Sequence, residues 1–212
     1  MPTPTYWLEP TERVALGLRR YTVAAYTGTV AYTCADGWHQ ALVWTGEGPA
    51  RFDGERADRA LLAPDAVSHD DPRWPAGCAA GCGYEFTDAD RWQPWQELLY
   101  TRPATGGRYV LHPTFVPPGA EPAGAGASYD SWWYPAGWRG ADGVALTVRC
   151  PGGSSAAPHD WCVDMPSSAS GGRWSRTGDP RRAEVTASPS ISIGVPGAPG
   201  HYHGFLRAGL FT

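Results

Sequence analysis

Short runs of alternating apolar and polar residues, rich in β-branched side chains, fill the last third of the chain. The runs cover 143–150, 159–164, 184–193 and 201–207, and Leu210 and Phe211 follow them. Alternation with a period of two predicts strands that each present one apolar face. Pro189 lies inside the third run and marks an edge strand or a bulge. Short strands at this spacing predict a small antiparallel sheet or sandwich over residues 142–212.

A hairpin is predicted in the N-terminal part of the chain. Valine, threonine, alanine and tyrosine dominate residues 21–34, where we expect two strands or one bent strand. A turn at Gly37 follows, and residues 41–45 form the next predicted strand. The tip of this hairpin carries Cys34 and His39.

Residues 88–100 show the clearest helical pattern of the chain. Apolar side chains recur there at the three-and-four spacing of one buried helix face. They are Trp92, Trp95, Leu98 and Leu99. Thr87 and Asp88 are suitable capping residues, and Pro94 is tolerated because it falls in the first two turns. This pattern predicts one short amphipathic helix.

Residues 101–141 are rich in proline and lack a periodic pattern, so we predict a long irregular excursion. Within it, a flexible run at 120–128 leads into an aromatic segment at 129–138. This segment is either a lid over the core of the same domain or an arm that contacts another protein. The predicted contact residues are Trp132, Trp133, Tyr134 and Trp138.

Composition favours a folded, loop-rich β protein. The 212 residues include 27 glycines and 21 prolines, which interrupt helices, and 11 tryptophans, which argue against disorder. The predicted fold is mainly β with loop-rich insertions: a small antiparallel sheet or sandwich, a zinc-knuckle-like element and the one helix. We divide the chain into N-terminal hairpins with knuckle and helix (1–100), the irregular excursion (101–141) and the C-terminal strands (142–212), all within one compact domain.

Charge and hydropathy exclude two classes of partner. The formal net charge is -4 and the 17 basic residues, all arginine, are scattered along the chain, so we expect no nucleic-acid surface. No apolar run approaches the roughly 18 residues of a membrane span, and the first residues lack the features of a signal peptide. We therefore expect no membrane partner, and we expect other proteins as partners.

Two cysteines are spaced as in a zinc knuckle. Cys78 and Cys82 are separated by three small residues, and Gly83 follows directly. Such a loop turns both sulfurs toward one point and lets backbone N–H groups stabilise the thiolates. The alternatives are two buried unpaired thiols or a short strained disulfide. Five unevenly spaced cysteines are too few for a disulfide framework, which favours a metal or unpaired thiols.

A tetrahedral zinc site needs two further ligands, and the tip of the predicted hairpin offers them. Cys34 and His39 lie on either side of its turn, where both side chains would face the knuckle. We therefore predict zinc bound by Cys34, His39, Cys78 and Cys82, with His69 as the rival of His39. The alternative for the hairpin pair is a core cysteine and a solvent-exposed histidine.

His201 and His203 raise the question of a second metal site. In a strand they would project from one face, and Cys150, His159 or Cys162 on neighbouring strands would complete the site. His159 and Cys162 lie on opposite faces of a regular strand, and Cys150 ends its strand before a Pro-Gly-Gly turn. We therefore expect the two histidines to be ordinary strand residues and keep Cys150, His201 and His203 as the alternative, a second metal site.

A set of specific motifs runs along residues 75–212. They are Cys78-x3-Cys82-Gly-Tyr-x-Phe-Thr-Asp-x-Asp-x-Trp92, Cys150-Pro-Gly-Gly, Trp174-x-Arg-x-Gly-x-Pro180, Pro189-Ser-Ile and Tyr202-His-Gly-Phe-Leu-Arg207-x-Gly. The set resembles an uncharacterised family of small proteins encoded by actinobacterial phages. The C-terminal half is more loosely similar to a wider bacterial and phage family, for some of whose members a peptidase role has been suggested. That family pairs its first cysteine with another nearby, which the sequence after Cys150 lacks, so the resemblance does not support a second metal site.

Sequence templates for hydrolases are absent. The chain has no His-x-Glu, no His-Glu-x-x-His, no nucleophile elbow and no phosphate loop, and no Ser and Asp follow His203 as a JAB-type peptidase would require. We therefore predict a zinc-stabilised phage accessory or structural protein that acts through protein–protein contacts. It would be made in the host cytoplasm, with the virion as a further predicted location. The alternatives are a metal-dependent hydrolase or peptidase and a host-directed phage binding protein.

Overall fold

The computed structural model describes residues 1–22, 34, 37–50, 52–53, 56–57, 72–112, 115–153, 158–166 and 174–212, and these residues are mostly β strand. Single-turn 3-10 helices occur at Ala136–Trp138 and Pro180–Arg182. No helix in the described part of the chain has the length and apolar character needed to cross a membrane. The strands are β1 Thr3–Pro4, β2 Tyr6–Trp7, β3 Glu9–Tyr21, β4 Gln40–Pro49, β5 Phe52–Asp53, β6 Arg56–Ala57, β7 Arg91–Arg102, β8 Gly107–Val110, β9 Glu121–Pro122, β10 Ala127–Asp130, β11 Leu146–Gly153, β12 Pro158–Cys162, β13 Ser175–Thr177, β14 Thr186–Ile193, β15 Tyr202–Arg207 and β16 Leu210–Phe211.

The chain folds into two compact units, and neither is continuous in sequence. The first unit contains Met1–Glu12, Arg51–Ala57 and Leu98–Thr212, and the second contains Arg13–Ala50 and Asp58–Glu97. Strands β3 and β7 each have residues in both units. The division made from the sequence used three consecutive stretches instead.

Two sheets pack face to face in the first unit. One has the antiparallel strand order β1-β16-β15-β14-β13, and the other has the order β12-β11-β10-β2, in which the β10–β2 pair is parallel. Alternate residues of β11 and β15 point between the sheets, where Leu146, Val148 and Leu206 are almost fully buried. The same core cluster also contains Trp7, Val144, Cys150, Trp161, Val163, Val185, Ala187, Ile191 and Phe211. The predicted mainly β fold with a small sandwich is confirmed.

Residues 101–141 hold more regular structure than the predicted irregular excursion. β8 pairs with the end of β7, β9 pairs with β8, and β10 pairs with β11. Tyr129 of β10 is buried with Leu8 and Tyr100 in a second core cluster of the first unit. The sequence pattern missed these strands because they are only two to four residues long.

In the second unit, β3 and β4 form the hairpin that leads to Cys34 and His39. Their antiparallel register runs from Arg13 opposite Pro49 to Tyr21 opposite Gln40, and β7 is the other neighbour of β3. The strand predicted at 41–45 lies within β4, whereas most of the strand predicted at 21–34 falls outside the described residues.

The helix predicted at 88–100 is wrong, because these residues form most of the extended strand β7. Trp92 is 54% exposed, so it does not lie on a common buried face with the other apolar residues. Tryptophan, tyrosine and threonine favour strands, and Pro94 removes an N–H group that a helix would use. Pairing with neighbouring strands therefore outweighed the three-and-four spacing.

Candidate metal centre

The cysteine loop, residues 78–82, is a tight turn in the second unit. The backbone N–H of Gly81 donates to the carbonyl oxygen of Cys78 at 3.0 Å, and the N–H of Cys78 donates to the carbonyl oxygen of Tyr84 at 3.0 Å. Gly81 and Gly83 have φ values of +67° and +84°, a backbone conformation in which a residue with a side chain would be strained. The sequence -Gly-Cys-Gly- therefore lets the chain reverse direction around the second cysteine.

Thr22, directly after β3, holds the backbone that carries the other two candidate ligands. Its N–H donates to the carbonyl oxygen of His39 at 3.0 Å, and its side-chain oxygen accepts from the N–H of His39 at 2.9 Å. Its hydroxyl also donates to the carbonyl oxygen of Gly37 at 2.9 Å, and the N–H of Gly37 donates to the carbonyl oxygen of Cys34 at 3.0 Å. The hairpin thus fixes both residues relative to its strands.

The four residues predicted as zinc ligands come together in the structure. One ligand atom from each of Cys34, His39, Cys78 and Cys82 lies within 4.8 Å of all the others. The sulfurs of Cys34 and Cys78 are 3.7 Å apart, and the sulfur of Cys82 is 3.2 Å from Nδ1 of His39. Two metal–sulfur bonds of about 2.3 Å at a tetrahedral angle place the sulfurs about 3.8 Å apart. The cluster could therefore hold a metal ion, while the rival His69 lies outside the described residues.

Hydrogen bonds and burial shift the pKa values of two cysteines of this cluster in opposite directions. Burial on its own raises the pKa of Cys78, but hydrogen bonds from the backbone N–H groups of Ala80 and Gln40, together with those to His39 and Cys34, outweigh it and lower the pKa to about 7. The hydrogen bond with Cys82, together with burial, raises the pKa of Cys34 to about 11. Cys78 is thus prepared as a thiolate, the form in which cysteine binds metals.

The ring of Tyr84 stacks on the imidazole of His39. The two rings stack with centroids 4.0 Å apart and planes 4° from parallel. The hydroxyl of Tyr84 donates to the carboxylate of Asp90 at 3.1 Å, and that carboxylate also accepts from the N–H of Thr87 at 2.7 Å. Because Asp90 holds the hydroxyl of Tyr84, the stacked ring restricts the orientation of the imidazole. This role was not predicted from the sequence, although Tyr84 and Asp90 belong to the same motif as Cys82.

Arg20 of β3 donates hydrogen bonds to the chain on both sides of the cysteine loop. Its guanidinium is buried and donates to the carbonyl oxygens of Pro75 and Thr87. It also lies 5.6 Å from the ring centroid of Trp74 and 5.4 Å from that of Phe86. No local sequence signal could show this role, because the partners are more than 50 residues away.

Exposure and ligand number define what this centre can do chemically. Cys82 is exposed, and the other three side chains are half-buried. Four protein ligands would complete a tetrahedral set and would leave no position for a reactive water, as in structural rather than catalytic zinc sites. The arrangement is suited to holding the hairpin and the cysteine loop together.

The residues of the alternative second site are not brought together. The described residues contain one group of three or more neighbouring His, Cys, Asp or Glu side chains, and it is the cluster above. Cys150 is buried in the sandwich core. Nε2 of His201 lies 3.3 Å from the hydroxyl of Ser192, and Nε2 of His203 lies 3.4 Å from the hydroxyl of Ser190.

The aromatic segment 129–138 lies partly on the surface of the first unit. Trp133 is 37% exposed, whereas Trp132, Tyr134 and Trp138 are half-buried. Neighbouring rings touch: the centroids of Trp132 and Trp133 are 5.5 Å apart, and those of Tyr134 and Trp138 are 4.9 Å apart. The ring centroid of the buried Tyr129 lies 6.3 Å from that of Trp133, so this contact connects the segment to the core.

Comparisons of the chain with protein-family models, with curated proteins and with solved structures found no match.

Proposed function

We propose that Cys34, His39, Cys78 and Cys82 bind one zinc ion. Three thiolates and one imidazole are a common ligand set of structural zinc sites, and soft sulfur ligands disfavour magnesium and calcium. The sulfur separation of 3.7 Å supports this choice. The observation that carries it is the convergence of four ligand atoms within 4.8 Å from two separate stretches of chain.

The zinc ion would be structural. It would join the hairpin to the cysteine loop, and the free energy of zinc binding would contribute directly to folding of this region. A metal-dependent peptidase needs an open coordination position for an activated water. The four protein ligands would fill a tetrahedral site, so this centre would not supply such a position.

The biological role that we propose is an accessory or structural protein of a phage, present in the virion and acting through protein–protein contacts. The resemblance of the motifs to the phage family supports a phage origin of the protein. The partly exposed aromatic segment supports the mode of action, because aromatic side chains anchor protein interfaces.

Mass spectrometry of purified particles of the encoding phage tests this role. We expect the protein at a stoichiometric copy number, and we expect Trp133→Ala to reduce its incorporation. Trp92→Ala is the matched control, because it removes an exposed tryptophan outside the aromatic segment. Protein found only in the cytosol of infected cells would contradict a virion role and favour a host-directed binding protein.

A further inference from the structure

A cleft of about 480 Å³ opens beside strand β13 in the first unit. The cleft is lined by residues 174–178, which include β13, by residues 139–142 and by Asp164. This volume falls within the range of ligand-binding sites, about 300–1,000 Å³. None of the lining residues belongs to the proposed zinc centre or to the proposed aromatic contact residues.

The cleft lies beside β13, and all three residues of this strand line it. Successive side chains of a strand point to opposite faces, so we infer that the cleft runs along the strand backbone rather than over one face. β13 is the last strand of its sheet, and within the described ranges its one strand neighbour is β14. No strand in the described part of the chain pairs with the other edge of β13, and a strand edge of this kind is a template for pairing with a further strand.

The charges that line the cleft are already paired. Arg176 donates to the carboxylates of Asp142 at 2.7 Å and Asp164 at 2.9 Å, and only 8% of its side chain is exposed. Arg139 donates to two backbone carbonyl oxygens at 2.7 and 3.0 Å. Two arginines and two carboxylates give no net charge, so the cleft does not attract a strongly charged ligand.

Trp174 supplies apolar surface at one end of the cleft. Its ring is half-buried and packs edge-on against the buried Trp161, with centroids 5.4 Å apart. A ring held in this way offers a preformed contact for an apolar side chain. β13 is three residues long and extends over about 10 Å at roughly 3.3 Å per residue, so it matches about three residues of an extended peptide.

We propose that this cleft binds an extended, uncharged segment of a partner protein, which adds to β13 as a further strand and places an apolar side chain against Trp174. Backbone hydrogen bonds would give the affinity, and the contact with Trp174 would give the specificity. The proposal rests on the proposed function only in assigning protein–protein contacts to the chain.

Selection from a displayed library of random seven-residue peptides tests the contact with Trp174. The intact protein and its Trp174→Ala and Trp92→Ala variants are screened in parallel. We expect enriched peptides to be uncharged at their central positions, to bind wild type and Trp92→Ala equally, and to bind Trp174→Ala at least about tenfold more weakly. Trp92 is an exposed tryptophan of the second unit and serves as the matched control.

Backbone pairing is tested on the unaltered protein, so it does not depend on folding of a variant. An enriched peptide is N-methylated at alternate residues in each of the two registers. A strand directs alternate N–H groups toward a given neighbour, so one register should weaken binding at least about tenfold and the other should leave it unchanged.

Three outcomes would overturn the proposal. They are the absence of peptides that prefer wild type over Trp174→Ala, equal binding of both N-methylated peptides and their parent, and a wild-type dimer that Trp174→Ala abolishes while no peptide is enriched. The last outcome would assign the cleft to a second copy of the chain. Protein that is present in phage particles but fails the peptide tests would contradict the cleft and leave the proposed function standing.

Discussion

Cys82 is the exposed member of the four proposed zinc ligands, and its sulfur lies next to Nδ1 of His39. Cys82→Ser would leave three ligands. We expect this variant to bind far less than one equivalent of zinc and to lose several kcal/mol of unfolding free energy, because structural zinc contributes about 10 kcal/mol or more of binding free energy to folding. Elemental analysis and urea unfolding measure the two effects.

Cys150→Ala is the matched control for this prediction. Cys150 is buried in the sandwich core of the first unit, outside the cluster. Its truncation should lower stability by about 1 kcal/mol through the cavity it leaves, and it should leave bound zinc unchanged. Full zinc content and unchanged stability in Cys82→Ser would contradict the assignment of Cys82 as a ligand.

Asp142 gives a prediction for acid conditions. Burial on its own raises its pKa, but hydrogen bonds from Arg176 and from the N–H of Val144 outweigh it and hold the pKa below its ordinary value. A lowered pKa in the folded state contributes stability that is present above the ordinary pKa and is lost as pH falls through the lowered value. Asp142→Asn should therefore destabilise by about 1 kcal/mol at neutral pH, since the carboxylate is 34% exposed, and by less in acid.

Urea unfolding of wild type and Asp142→Asn across the acid range checks this prediction. The two stability curves should converge as pH falls below the ordinary range of aspartate. A difference that stays constant down to low pH would show that the paired carboxylate is not its source.

At the scale of elements, Arg20 connects β3 to the chain on both sides of the cysteine loop. Arg20→Lys keeps the charge but not the planar fork that reaches the carbonyl oxygens of Pro75 and Thr87. We expect a loss of about 2–3 kcal/mol in unfolding free energy and faster removal of zinc by a chelator. Chemical unfolding and the rate of zinc release measure these effects.

Arg13→Lys is the control for the Arg20 variant. Arg13 lies on the same strand but forms an exposed ion pair with Glu47, with 57% of its side chain in solvent. Exposed pairs contribute about 0–1 kcal/mol, so stability and zinc release should stay close to wild type. Equal effects of the two variants on unfolding free energy and zinc release would contradict the role assigned to Arg20.

Sequence patterns predicted the longer C-terminal strands of the first unit well and the segment at 88–100 badly. Each of the four predicted runs overlaps one strand of the structure, namely β11, β12, β14 or β15. The alternation of apolar and polar residues indicates directly which face of a strand is buried. The pattern at 88–100 contained apolar residues at helical spacing, yet strand pairing of β7 decided its structure. Such pairing depends on residues distant in sequence, so local periodicity could not reveal it.

The candidate metal centre was predicted more completely than its supports. Cys78, Cys82 and Gly83 have a local spacing with a direct chemical meaning, and a turn placed Cys34 and His39 at a hairpin tip. The stacking of Tyr84 on His39 and the hydrogen bonds of the buried Arg20 arise only when β3, the hairpin and the loop come together. Contacts of this kind have no signature in a single sequence.

At the scale of the whole molecule, the two interleaved units lead to a prediction about zinc removal. The cysteine loop and the residues around His39 belong to the second unit, whereas β11 and β15 form the sandwich core of the first unit. Chelation of zinc should therefore cause loss of amide protection mainly in the second unit. Hydrogen exchange with and without a chelator measures this, and uniform loss of protection along the chain would contradict it.

The central claim is that three cysteines and one histidine of this chain bind a structural zinc ion. Zinc X-ray absorption spectroscopy on the purified protein tests it most directly. We predict about one zinc per chain, with three sulfur ligands at about 2.3 Å and one nitrogen ligand at about 2.0 Å. Less than about half an equivalent of zinc, or a coordination shell dominated by oxygen and nitrogen, would contradict the account.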